Sequence, residues 1–193
     1  MNVMSVYDDS LYVIEELVLE TALQTRAAMN RFLQSVERRA LRMAEIAIQD
    51  RDEALDIVQD AMLKLARSYS HKEESEWAPL FYRILQNRIK DWQRQRAIRS
   101  KVQGWFGMSR SQDDEQEELT AADYADEAAL TPEQQMQQSS SIEALEYALG
   151  DLPQRQQQAF MLRVWEGLDV KQTAAAMAVT EGSVKTHFSR AVH

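Results

Sequence analysis

Apolar positions along this chain recur at helical spacing and do not alternate as they would in strands. Phe32, Leu33, Val36, Ala40, Met43 and Ala47 fall on one stripe, which predicts a helix over about residues 27–48. Ala54, Leu55, Ile57, Val58, Ala61, Met62 and Leu65 form the broad apolar face of a second helix, about 51–68. Asp52 and Glu53 open it, as suits the positive end of a helix dipole. After the loop "SYSHKEESE", a third helix over about 77–98 gathers Leu80, Phe81, Ile84, Leu85, Ile89 and Trp92 on one side. A short helix over about 11–25 is expected ahead of these three.

The pattern fails in the middle. Residues 111–141, "SQDDEQEELTAADYADEAALTPEQQMQQSSS", hold nine acids, no base and few large apolar residues. Such a stretch buries too little apolar surface to offset its ordering entropy, so it is expected to be a flexible acidic linker. Helical signals resume after it. Thr131-Pro132-Glu133 reads as a cap with proline at the first helical position, and the helix it opens is expected to firm up over 141–149 and stop at Gly150. Another helix follows Leu152-Pro153 and ends near Gly167. Asp169, with Gln172 three residues on, has capping-box spacing ahead of "VKQTAAAMA". Thr180 caps a last helix, "EGSVKTHFSRAVH".

Composition narrows the class. Gly (5) and Pro (3) are scarce among 193 residues, which favours an all-α chain. There is no cysteine, so disulfides and thiolate metal sites are excluded, and three scattered histidines do not resemble a ligand set. No apolar run reaches the roughly 18–20 residues of a membrane span, and "LYVIEELVLETAL" carries Glu15, Glu16 and Glu20 and lacks a basic leader. The expected location is the cytoplasm. The net charge of −9 argues against a nucleic-acid partner only until it is mapped: the acidic segment contributes all of it. The rest of the chain balances its acids with 22 Lys and Arg, leaving room for local basic faces.

Three helix faces carry more than packing demands. On the second helix, Asp52, Asp56, Gln59, Asp60 and Arg67 surround Leu63, an apolar residue ringed by polar ones, as at a docking spot. The bland alternative is one exposed leucine among many. On the third, Arg83, Gln86, Asn87, Lys90 and Arg94 line the side opposite the apolar one, with Tyr82 and Gln93 at its edge. Such a cationic stripe follows a phosphate backbone, and edge aromatics stack on displaced bases. A solvated face of mixed charge is the alternative.

The last two helices, joined by the turn "AVT", suggest a helix-turn-helix. Ala174 is small where the helices approach, and Val184, Phe188, Ala191 and Val192 are expected to face inward. Gly182, Ser183, Lys185, Thr186, Ser189, Arg190 and His193 then face a major groove, where Lys and Arg reach guanine edges or phosphates. An ordinary surface helix is the alternative here.

In this order, "RDEALDIVQDAMLKLARSY" (51–69), "PLFYRILQNRIKDWQRQ" (79–95) and "LPQRQQQAFMLRVWEGLDVKQTAAAMAVTEGSVKTHFSRA" (152–191) resemble the extracytoplasmic-function (ECF) sigma factors of bacterial RNA polymerase. The resemblance implies two small helical modules: region 2 over 26–104, behind an N-terminal segment 1–25, and region 4 over 141–193, joined by the acidic linker 105–140. It implies that Asp56, Gln59, Asp60 and Leu63 meet core polymerase. Tyr82, Arg83, Asn87, Lys90 and Arg94 would engage the −10 element as it opens, and the loop 69–76 matches where the family captures a flipped base. Ser183, Lys185, Thr186, Ser189 and Arg190 would approach the −35 element. Core RNA polymerase and promoter DNA are the implied partners, an anti-sigma factor is a further one, and no cofactor, metal or enzyme activity is implied.

Two departures stand out. Gln172 occupies a position where the family usually has Glu; it can still cap, so little effect is expected. Family members usually continue well past "SRA", whereas this sequence ends at His193, implying either a trimmed chain or a weaker hold on the −35 element. Among other readings, a LuxR-like helix-turn-helix regulator shares "GSVKTH" but leaves 51–95 unexplained. An enzyme would need more than Asp56/Asp60, since no nucleophile–base set or phosphate loop accompanies them. A helical interaction protein without DNA contact leaves the stripe at 83–94 idle.

Overall fold

The structure is a computed structural model that describes residues 3–105 and 144–193. The acidic segment and the Thr131-Pro132 cap lie outside the described residues. The described chain is all helical: α1 (Val3–Ile48), α2 (Arg51–Tyr69), α3 (Glu74–Trp105), α4 (144–150), α5 (Gln154–Phe160, continued by a π-helical turn Met161–Trp165), α6 (Val170–Met177) and α7 (Glu181–Ala191).

The two helices expected over 11–25 and 27–48 are one helix. Nothing between them breaks it, since there is no Gly or Pro, and the hydroxyl of Thr25 donates back to the carbonyl of Thr21 at 2.9 Å. Asp50 separates α1 from α2 and accepts from the Glu53 amide at 3.1 Å, satisfying one open donor at the start of α2. Gln49, just before it, takes the left-handed conformation (φ 54°) that lets the chain reverse. Helix α3 is longer at both ends than the apolar pattern suggests. Its first turns are fixed by Trp77, whose indole N–H donates to the Lys72 carbonyl at 3.1 Å.

Helices α1, α2 and α3 pack pairwise into one bundle. Its centre is aromatic: Phe32 lies 5.9 Å from Trp77 and 6.1 Å from Phe81, and Phe81 lies 5.1 Å from Tyr82, edge to face. Ala40, Ala54, Ala61 and Leu65 are fully buried between the helices. Helices α5, α6 and α7 pack on one another around Met161, Leu162, Met177 and Val184. The two bundles are not apart: α6 packs along α3, and one continuous apolar core runs through both.

Two positions differ from the pattern's expectation on the apolar side. Leu55, placed on the inner face of α2, is 36% exposed, because it sits at the margin of that face. Val192, expected to point inward, is 48% exposed at the frayed end of α7.

Candidate polymerase and nucleic-acid interfaces

Asp56, Gln59, Asp60 and Leu63 lie three or four residues apart across successive turns of α2 (56 to 59 and 60, 59 and 60 to 63), and all face solvent. Leu63 is half exposed while its near neighbour Leu65 is fully buried, so the helix separates them onto opposite sides. Asp60 pairs with Arg88 of α3 at 3.5 Å, both side chains about half exposed, which links this face to the next. Nothing in the α2 pattern singles out Arg88. It lies between Asn87 and Ile89, one residue off the stripe.

On α3 the stripe is split. Arg83, Asn87 and Arg94 are exposed, with Arg94 held by Asp91 at 2.9 Å. Arg96 lies over the Trp92 ring at 5.2 Å and fixes that indole at the bundle's edge. Tyr82 and Gln86, read from periodicity as edge and polar face, are buried. The second bundle covers them. The Gln158 amide donates to the Gln86 side-chain carbonyl, and Gln154 donates to Gln93 at 2.8 Å. Lys90 is partly covered too. Burial, and then the positive charge of Arg155, hold its amine below the ordinary lysine range.

Beside Tyr82, Arg39 of α1 donates to the Glu166 carboxylate at 2.8 Å, and Glu166 is almost wholly buried. One turn further along α1, Arg42 grips Glu146 of α4 through Nε and Nη2, and its Nη1 pairs with Glu45 at 2.9 Å. The hydrogen bond to Glu166 raises the affinity of Arg39 for its proton, and that to Glu146 does the same for Arg42. The Tyr82 hydroxyl has no hydrogen-bond partner among the described residues. Its phenol is pushed up chiefly by burial and then by the nearby Glu166 charge. None of these cross-bundle pairs was legible in the sequence, because ion-pair partners 104 and 127 positions apart leave no periodic signal.

The last two helices have the geometry their caps demand. Asp169 accepts from the Gln172 amide at 2.7 Å while the Gln172 side chain accepts from the Asp169 amide at 3.0 Å, a complete capping box without Glu. Ala178 makes the turn in the left-handed region (φ 53°) in place of the usual glycine. Thr180 caps α7 by accepting from the Ser183 amide at 3.2 Å. Val184 is buried, and Phe188 stacks on Phe160 with centroids 6.4 Å apart, so α7 is pinned through one face. The other face leaves Lys185, Thr186, Ser189 and Arg190 exposed and Ser183 half-buried. The Thr186 hydroxyl donates to the Gly182 carbonyl at 3.0 Å, which leaves its lone pairs free to accept from a base or a bound water. No helix among the described residues is long and apolar enough to cross a membrane.

Residues 142–192 match the family described as sigma-70, region 4. A comparison with curated proteins finds no match. Among solved structures, the chain is similar to the sigma factor RpoE of Bartonella quintana, solved with the anti-sigma factor NepR. The TM-score is 0.53 at 24% identity, and the match covers 84% of this chain and 92% of that one. The C-terminal helix-turn-helix therefore matches sigma-70 region 4, and it is set in a chain with the fold of a solved sigma factor.

Proposed function

We propose that this protein is an ECF sigma factor that binds core RNA polymerase, recognises −10 and −35 promoter elements and initiates transcription. The observation that carries the reading is the region 4 match on a helix-turn-helix whose outward face offers Lys185, Thr186, Ser189 and Arg190. Helix α7 is the major-groove reader, with Arg190 and Lys185 reaching guanine edges or phosphates. The exposed α2 stripe of Asp56, Gln59, Asp60 and Leu63 docks on polymerase through a leucine framed by acids. Arg83, Asn87, Lys90 and Arg94 follow the −10 strand as it separates, with Tyr82 as the base-stacking group. The solved relative carries an anti-sigma factor, and we extend that partner class to this chain. The roles are those of recognition and positioning, and no chemical step is assigned to the chain.

The test is reconstitution. The purified chain is mixed with bacterial core RNA polymerase and a promoter library randomised at both elements, and the transcripts are sequenced. Start sites that require the chain and share −10 and −35 sequences support the reading. A chain that binds duplex DNA at one site yet never engages polymerase sinks it.

A further inference from the structure

Helix α1 is longer than the bundle it belongs to. Its buried side begins at Ala28 and Met29 and runs through Val36, Ala40 and Met43, in the bundle with α2 and α3. Ahead of Ala28 the helix continues uncovered: residues 17–27 are exposed, apart from a half-buried Thr25. Leu17, Val18, Leu19 and Leu23 are between 58% and 64% exposed, the longest such run of large apolar side chains among the described residues. Val18 precedes Val36 by five full helical turns, so it stands on the same line of the helix that the bundle buries further along. Leu17 and Leu19 flank that line, about 100° to either side.

The polar groups of this arm need no partner. The Thr21 hydroxyl donates to the Leu17 carbonyl at 2.8 Å, that of Thr25 to the Thr21 carbonyl at 2.9 Å, and the Gln24 amide to Glu20 at 3.3 Å. What is left unmet is apolar surface. A contiguous patch of that kind marks an interaction site, and helices gain most of their stability from packing such a face.

The order of charges says what covers it. Asp8, Asp9, Glu15, Glu16 and Glu20 come first, and the bases Arg26 and Arg31 come after them. Neither arginine takes part in an ion pair among the described residues. The chain's own segment 111–141, with nine acids and no base, has the wrong charge for an arm that is itself acidic. A second copy lying parallel would set acids beside acids. A second copy lying antiparallel sets the acidic start of each arm along the basic end of the other, the kind of flanking charge match that fixes helix orientation. Pairing Asp8 with Arg26 and Asp9 with Arg31 puts the midpoint between residues 17 and 20. The exposed Leu17-Val18-Leu19 stretch therefore falls at the two-fold axis, where a self-complementary contact needs its apolar centre.

We propose that the N-terminal arm of α1 is a self-association surface, and that two copies of this chain pair through antiparallel arms centred on Leu17, Val18 and Leu19, with Arg26 and Arg31 of each copy beside the acids of the other.

Sedimentation of the full chain over a micromolar concentration range tests the pairing, and a concentration-dependent dimer is expected. Leu17→Asp combined with Leu19→Asp should weaken it at least about tenfold, with the bundle still helical by circular dichroism because both side chains are exposed. Arg26→Glu should weaken it too, and Asp8→Arg added to Arg26→Glu should restore it. Direction is read by cross-linking, since the chain has no cysteine of its own. Copies carrying Ser10→Cys should join copies carrying Ala27→Cys through a short bis-maleimide, and Ser10→Cys copies should not join each other. A chain that stays monomeric throughout overturns the proposal, as does a dimer that survives the paired aspartates. Self-joining of Ser10→Cys copies, or no rescue by Asp8→Arg, overturns the antiparallel arrangement and with it the proposal. A monomer whose arm becomes protected from hydroxyl radicals only when core polymerase is added assigns the surface to polymerase and overturns the pairing.

Discussion

Gln158 donates its side-chain amide to Gln86 across 72 positions of sequence, and both residues are almost wholly buried. Each sits where a helix face would otherwise meet water. Together they form a neutral polar contact in the middle of the boundary between the two bundles.

Breaking that contact from one side should cost more than removing it whole. Gln158→Leu leaves the Gln86 carboxamide buried without a partner, a penalty of about 1–3 kcal/mol, and Gln86→Leu does the same to Gln158. Gln86→Leu combined with Gln158→Leu replaces both polar groups with apolar ones and should cost less than either single change. Urea unfolding of the four chains gives the double-mutant cycle, and additive losses would mean the two side chains do not interact.

Leu63→Asp should weaken binding to core polymerase and leave the fold intact. A change at an exposed position usually shifts stability by less than about 0.5 kcal/mol. The proper control is Leu65→Asp, since Leu65 is fully buried, whereas Leu55 is too exposed to serve. Thermal unfolding and polymerase affinity are measured together. A loss of stability in Leu63→Asp comparable to that in Leu65→Asp would remove Leu63 from the docking face.

Tyr82 ties stability to alkaline pH. Burial, and then the Glu166 charge, raise its phenol above the ordinary value of 10.0. The folded chain therefore keeps a proton that the unfolded chain releases. Its contribution is complete below about pH 10 and is lost as pH rises above that value. Tyr82→Phe should flatten this alkaline loss. At neutral pH it should cost nothing, because the hydroxyl has no partner among the described residues. Denaturation across pH 8 to 11, to be compared with the parent chain, is the check.

Asn87→Ala and Arg190→Ala should fail at different steps. Asn87 lies exposed on α3, and its loss should reduce promoter opening while sparing binding to duplex −35 DNA. Arg190 lies exposed on α7, where a bidentate base contact is worth about 1–3 kcal/mol of discrimination. Its loss should relax −35 preference and preserve function on a pre-melted template. Permanganate footprinting on duplex and pre-melted promoters separates the two, and failure of both variants at one step would end this division of labour.

Local chemistry was legible along the chain. Asp169 and Thr180 cap the helices that their side chains announce, and the capping box forms with Gln172. The solvent-facing stripe of α2, the inward Val184 and Phe188 and the outward Lys185 and Arg190 all follow from 100° per residue. These depend on neighbours within one or two turns, which periodicity reports. The fate of Tyr82 and Gln86 does not. Periodicity separates the apolar side of a helix from its polar side, but it cannot say that a second bundle will lie over part of the polar side. That was decided by Glu166, Gln158 and Glu146 reaching Arg39, Gln86 and Arg42 from far along the chain. Such polar pairs have no repeat, only a three-dimensional meeting, and the burial they create turns a stripe that reads as exposed into one that is half covered.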